Sequence, residues 1–182
     1  MAIKHVIFDG FGTLVERQKP MSFYAHMKCA SPLLIDWEHA MTAPFAWHEW
    51  ALSIEQQAKL DDDLENIVLY NDIAATLGML DSAGIGYSVM SNLASCYGKP
   101  LQDALAGFPV QNWFLSYSDG MKKPDPRYYE HALNILGLPG KQVLFVGDHA
   151  KHDVLGPSLS GLNALRVQRH LLSMHDMLKP WC

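Results

Sequence analysis

The first group in this chain with clear chemical potential is an acid at the end of a short apolar run. Val6-Ile7-Phe8 stops at Asp9, which is followed by Gly10, Phe11, Gly12 and Thr13. The run is too short for a helix and β-branched enough for a buried strand. Asp9 therefore falls at the C-terminal tip of a strand, where open α/β sheets place their reactive groups. Gly10 and Gly12 permit a tight loop whose N–H groups can face an anion, and Thr13 can hydrogen-bond the carboxylate. These residue types at this spacing make Asp9 a candidate nucleophile. Taken alone, the same stretch also reads as an ordinary turn after a strand.

Three later stretches supply context. Tyr87-Ser88-Val89-Met90 is an apolar strand ending in Ser91-Asn92, and Lys122-Lys123 precede Pro124. Val143-Leu144-Phe145-Val146 runs through Gly147 into Asp148, with His149, His152 and Asp153 following. Each has a plain reading by itself: a Ser-Asn turn, a Lys-Pro loop, acids that cap a helix. Their convergence on strand ends is what those plain readings leave unexplained.

The elements that must position these groups alternate between strand and helix. Asp72 is placed to cap a helix carrying Ile73, Leu77 and Leu80, and Gly84 is a natural stop. After the strand Tyr87 to Met90, a helix is expected near Leu93 to Leu105 and a short strand from Trp113 to Ser116. Asp125 and Pro126 cap and start a helix that ends at Gly137. A strand from Gln142 to Val146, a helix to about Ser160 and an edge strand from Asn163 to Val167 complete the pattern. The tail from His170 to Cys182 carries no clear signal. This alternation predicts an α/β fold with a doubly wound parallel sheet.

Between Glu16 and about Tyr70 the texture changes. Met21, Phe23, Tyr24, Met27, Met41 and Phe45 interleave with histidines, Trp37, Trp47 and Trp50 cluster, and no strand alternation is visible. Pro32 and Pro44 break the segment into short helices. Ser53 with Gln56 forms a capping box for a helix running toward Tyr70. The segment reads as a small helical insertion, residues 16–70, in a core made of residues 1–15 and 71–182, with most of its aromatics packing on one another.

Composition bounds the function. At 182 residues, 49% apolar and 18% charged, the chain suits one good core plus a small insertion rather than disorder. A net charge of -5 argues against nucleic acid as a partner. No apolar run approaches the roughly 20 residues that span a bilayer, and no cleavable leader precedes the first strand, so a cytoplasmic protein is expected. Cys29, Cys96 and Cys182 suit a reducing compartment and exclude a cysteine-type zinc site. The expected partner is a small anionic molecule, and a homodimer stays open.

In order and spacing, the four stretches around Asp9, Ser91, Lys123 and Asp148 resemble the four motifs of the haloacid dehalogenase (HAD) superfamily, from Val6 to about Val167. The resemblance implies a Rossmann-like core with a small helical cap. It further implies that Asp9 attacks the substrate to form a covalent aspartyl intermediate, which water then hydrolyses. Ser91 matches the hydroxyl that binds the transferring group, and Asn92 the residue often found after it. Lys123 matches the cation that neutralises nucleophile and substrate, in preference to Lys122, because the Lys-Pro pair is the motif. Phe11, Gly12 and Thr13 fall in the substrate-binding loop. Asp148 matches the metal-binding acid and Asp153 its supporting acid, which with Asp9 and the carbonyl of Phe11 suits Mg²⁺. His149 and His152 lie between the acids, but hard cations prefer oxygen.

One departure stands out. Phosphatases of the superfamily carry a second acid two residues after the nucleophile, and here that position is Phe11. A phenyl ring cannot protonate a leaving alkoxide, a transfer worth about 10²- to 10⁴-fold in rate. An aromatic followed by Gly-Thr resembles the 2-haloacid dehalogenases, whose halide needs no proton. Those enzymes use no metal and bind the halide through a cap arginine, whereas this chain has no arginine between Arg17 and Arg127 and retains Asp148 and Asp153. Phosphonoacetaldehyde hydrolases also lack the second acid but need a cap lysine, for which Lys28 and Lys59 are available. The expected function is a Mg²⁺-dependent hydrolase of a small, phosphorylated anion with a good leaving group. The alternatives are a metal-independent 2-haloacid dehalogenase and a HAD-derived binding or regulatory protein.

Overall fold

The computed structural model describes residues 2–29, 37–44 and 51–182. In chain order its elements begin β1 (His5–Phe8), β2 (Val15–Arg17), α1 (Ser22–Cys29), α2 (Trp37–Ala40), α3 (Ile54–Glu65), β3 (Ile67–Leu69) and α4 (Ile73–Ser82). They continue with β4 (Gly86–Ser91), α5 (Gly98–Ala104), β5 (Trp113–Leu115), α6 (Ser116–Asp119) and α7 (Pro126–Leu136). The last are β6 (Val143–Gly147), α8 (Gly156–Leu159), β7 (Asn163–Arg166) and α9 (Met174–Leu178). Pro32, Phe45, Trp47 and Trp50 lie outside the described residues.

The expected parallel sheet is present, in the order β5-β4-β1-β6-β7. Its central strands are mostly apolar because both faces are covered, and the buried His5 and Ser88 of β1 and β4 satisfy each other by a hydrogen bond. Val6, Phe8, Tyr87, Val89, Leu144 and Val146 pack on one face, while Ile7, Met90, Val143 and Phe145 pack with Tyr128 and Tyr129 of α7 on the other. Phe8 is in register with Val89 on one side and Val146 on the other, and the Asp9 amide donates to the Val146 carbonyl at 2.9 Å. The register therefore brings Asp9, Ser91 and Asp148 to one end of three adjacent strands. Chain order reverses between β1 and β6, which opens a crevice beside Asp9 and Asp148.

Inside residues 16–70, α1 packs against α3, and Phe23, Met27 and Leu60 are fully buried. The capping box at α3 forms as expected, with Gln56 N–H donating to Ser53 Oγ and the Ser53 amide to Gln56 Oε1. The helix stops at Glu65 rather than running to Tyr70. Ile67–Leu69 instead pairs antiparallel with Val15–Arg17, a two-stranded ribbon too short to show alternation.

Other boundaries shift for local reasons. The Leu93 amide donates to Ser116 Oγ, so Leu93 and Ala94 stay outside the helix, which begins as a 3₁₀ turn at Ser95. The expected helix after Asp148 is a π-helical turn, Ala150–Leu155, leading into α8. Such turns are rare and are frequent at functional sites. Asp125 caps α7 as expected, and Gly137 ends it with φ 63°. Asp72 makes no side-chain cap, because its carboxylate is engaged elsewhere.

Candidate active site

Lys123 is the centre of the site. Only 2% exposed, its ammonium donates to Asp9 Oδ1 at 2.7 Å, Asp153 Oδ1 at 2.8 Å and the Met90 carbonyl at 3.0 Å. Its three donors are thus satisfied, as a buried cation requires. Asn92 fixes the backbone behind it: the Lys123 amide donates to Asn92 Oδ1 and Asn92 Nδ2 donates to the Lys123 carbonyl, both at 2.8 Å. Asn92 borders the cleft, but its amide is committed to holding the lysine rather than free for a ligand. Lys122 does not reach these carboxylates; it pairs with Glu38 of α2, and both line the cleft above them.

Asp9 is nearly buried, and its Oδ2 receives the Thr13 hydroxyl at a long 3.4 Å. Thr13 is fully buried, so it acts on the carboxylate and not on a ligand. The loop glycines differ from expectation in one respect. The Gly12 amide donates to the Val15 carbonyl and the Thr13 amide to the Gly10 carbonyl, so neither faces an anion. Glycine is needed at Gly12 because φ is +83° and a Cβ there would lie 2.4 Å from Asp148 Oδ2. Gly147 is required by a similar approach, with Asp153 Cβ 2.4 Å from the place of a side chain.

Asp153 is buried and accepts the His149 amide at 2.9 Å, while Asp148 opens to solvent. Oxygen atoms of Asp9, Asp148 and Asp153 all lie within 4.8 Å of one another. Neither histidine belongs to this cluster. His149 Nδ1 accepts the amides of Lys151 and His152 and so caps the π-helical turn, and its ring stacks on His152 at 3.9 Å. Burial and His149 lower His152 to about 4.

One lysine faces three acids. Burial, reinforced by Asp153 and Asp148 and opposed by Lys123, raises the Asp9 carboxyl to about 7. Burial and Asp153 likewise raise Asp148. Burial works against the charge on Lys123, yet Asp9 and Asp153 hold it above the ordinary lysine value. A group so perturbed, at a strand end in a cleft, makes this a candidate functional site. The cleft, about 510 Å³, has Asp9, Ser91, Lys123 and Asp148 at its base and Arg17, Tyr24, Glu38 and Met41 from the 16–70 segment around it.

Sequence reasoning missed three positions around this site. Asp63 of α3, 1% exposed, accepts the Ser22 and Tyr24 amides and the Tyr97 hydroxyl, tying α1 and α3 to the turn after β4. Arg17 borders the cleft. Arg169, in the tail, donates from Nη1 to both Asp72 oxygens at 2.6 and 2.7 Å and from Nη2 to the Thr13 carbonyl, and lies 4.1 Å over the Tyr70 ring. Met174 N–H completes the Asp72 carboxylate at 2.6 Å. The tail thus fastens the loop after Asp9. Arg169→Leu is expected to cost about 2–4 kcal/mol in urea unfolding, because it strands a half-buried acid, and Arg169→Lys is expected to recover only part, lacking the planar fork. Losses under about 0.5 kcal/mol for both would show that the strap is idle.

Comparison with known proteins agrees with this geometry. A haloacid dehalogenase-like hydrolase family model matches residues 3–161. The chain is 27% identical to (S)-2-haloacid dehalogenase 1 of Pseudomonas sp. (strain CBS-3), over 92% of this chain and 85% of that protein. It is 28% identical to a phosphoglycolate phosphatase of Pseudomonas fluorescens (strain Pf0-1) over 56% of this chain but only 37% of the phosphatase. Its fold is similar to a HAD family enzyme of Bacteroides thetaiotaomicron solved with magnesium and inorganic phosphate, at a TM-score of 0.74 and 13% identity, covering 98% of this chain and 100% of that one. With the match running through Asp9, Ser91, Lys123 and Asp148, the chain belongs to the haloacid dehalogenase-like hydrolases.

Proposed function

We propose that this hydrolase acts on a small anionic, phosphorylated substrate whose leaving group departs without help from a proton donor. Residues 16–70 act as a cap over a core of residues 1–15 and 71–182. An Asp9 oxygen attacks phosphorus as the bond to the leaving group breaks, and the electron pair goes with the leaving group. Water then hydrolyses the aspartyl phosphate. Ser91 holds the transferring group, Lys123 offsets the charge on Asp9 and on that group, Thr13 orients Asp9, and Asn92 positions Lys123. The single observation that carries this reading is the imbalance of three clustered carboxylates against one buried ammonium.

That imbalance also fits a divalent cation, since hard oxygen donors and excess negative charge are what Mg²⁺ needs. Asp9, Asp148, Asp153 and the Phe11 carbonyl would hold it. When bound, it would neutralise charge on the transferring group. No helix among the described residues is long and apolar enough to cross a membrane. The unpaired Cys96 and Cys182 support a cytoplasmic location.

A second reading, metal-independent dehalogenation of 2-haloacids, is favoured by Phe11 and by the relatives matched over most of their length. Arg17 at the cleft supplies a cap-side cation that it would need. Turnover of phosphorylated metabolites and of 2-haloacids, with and without Mg²⁺, separates the two. Phosphate release that requires Mg²⁺ supports the first reading, and halide release indifferent to chelator supports the second.

Phe11→Asp tests the leaving-group argument. It is expected to raise hydrolysis of an alkyl phosphate by about 10²-fold while leaving an acyl phosphate nearly unchanged, because only the alkoxide needs a proton. Melting curves and Mg²⁺ binding must accompany the rates, since the change removes ring packing against Tyr97 and adds charge beside Asp9. Equal changes on both substrates would refute the explanation.

A further inference from the structure

A smaller cavity, about 130 Å³, opens off the cleft and shares Phe11, Arg17, Tyr24 and Asn92 with it. Met21, Leu93 and Tyr97 complete its lining, and Lys123 and the three acids take no part in it. The Phe11 and Tyr97 rings meet edge to face with centroids 6.1 Å apart, and Tyr24 meets Tyr97 the same way at 6.4 Å. Tyr97 donates its hydroxyl to Asp63, which fixes this aromatic wall. Arg17 forms no ion pair with any described carboxylate.

We infer that this side cavity receives the leaving group, and that the substrate is an aryl or enol ester of phosphoric acid. The inference rests on the proposed hydrolase reading. The charged end of the substrate belongs in the cleft, beside Lys123, so the uncharged end is left to the apolar side. An aromatic-lined void of this size that opens onto the cleft suits a phenyl ring, since a closed apolar cavity of about 150 Å³, slightly larger, is known to take benzene. As the Asp9–phosphorus bond forms, the phosphorus–oxygen bond breaks and its electron pair stays on the aryl or enol oxygen. Resonance stabilises that oxyanion, Arg17, which borders both cavities, offers a positive charge to it, and water protonates it after release. The lack of an acid at Phe11 and the apolar cavity beside Phe11 then have one explanation.

The test compares phenyl phosphate with acetyl phosphate as substrates, and phenylphosphonate with methylphosphonate as non-hydrolysable ligands. Filling the cavity with Met21→Trp is expected to lower kcat/KM for phenyl phosphate by about tenfold or more and leave acetyl phosphate within about twofold. Met21→Ala, which enlarges it, is expected to shift preference toward naphthyl phosphate. Arg17→Gln should lower kcat for phenyl esters more steeply as the phenol becomes a poorer leaving group. Phenylphosphonate should bind about tenfold tighter than methylphosphonate, and Met21→Trp should abolish the difference. If no ester turns over but this binding preference holds, the cavity binds an aryl group without releasing one, and the phosphate-ester reading on which the inference rests falls. If acetyl phosphate is hydrolysed while folded Met21 variants change both substrates alike, the cavity assignment is overturned and the hydrolase reading stands.

Discussion

Asp9→Asn is expected to lower turnover by about four orders of magnitude or more, because a neutral amide oxygen is not a competent nucleophile and the other groups act through it. The fold should survive intact. Lys123 keeps Asp153 and the Met90 carbonyl as partners, and the variant side chain has nearly the shape of the original. Its melting temperature should equal or exceed that of the wild type. Asp9 is raised from 3.8 to about 7 in the folded protein, so keeping it ionised opposes folding, and this cost grows as pH rises from about 4 to 7. Asparagine removes that term, and the gain should be largest at and above pH 7 in the presence of chelator. Mg²⁺, by pairing with the wild-type carboxylates, should narrow the difference. Near-normal activity in a protein with a normal melting curve would rule out Asp9 as nucleophile.

Lys123→Met is expected to be damaging in both fold and function. The ammonium is buried between Asp9 and Asp153, and its loss leaves charged or forcibly protonated carboxyls in a low-dielectric site. Breaking a buried pair in this way typically costs about 3–5 kcal/mol, although the pair itself adds little against an apolar replacement of all partners. The deficit should grow with pH, since Asp9, already raised to about 7 beside the lysine, is protonated at low pH and then needs no partner. Chemical unfolding at pH 5 and pH 8 reads the difference directly. Mg²⁺ should restore part of the stability while leaving activity low, because the cation still lacks the geometry of the lysine. Stability within about 1 kcal/mol of wild type at pH 8 would mean that the carboxylates do not depend on Lys123.

The strand ends were legible in the sequence because buried parallel strands read as short apolar runs, and each stops at the polar residue it delivers. Asp9, Ser91 and Asp148 each follow such a run, and the glycines at Gly12 and Gly147 mark places where no side chain fits. The capping signals at Ser53 and Asp125 are local, and both caps form. Asp72 has the local sequence of a cap but not the cap, because its partner Arg169 lies 97 residues away. The Asp63–Tyr97 bond spans 34 residues and leaves no periodic trace. Asn92 shows the same limit at the site itself, since only the tertiary structure reveals that its amide holds the Lys123 backbone.

The most direct test of the central claim is a single turnover with enzyme in excess, quenched in acid and analysed by mass spectrometry of the peptide that contains Asp9. With a hydrolysable phosphate ester, the peptide should transiently carry one phosphoryl group on Asp9 and lose it as phosphate appears. In ¹⁸O-water the label should enter the phosphate and not Asp9, since water attacks phosphorus. Label in Asp9 itself, with a 2-haloacid as substrate, would instead place the reaction with the dehalogenases. Product accumulating with no adduct and no label at Asp9 at any time would contradict a covalent role for this residue.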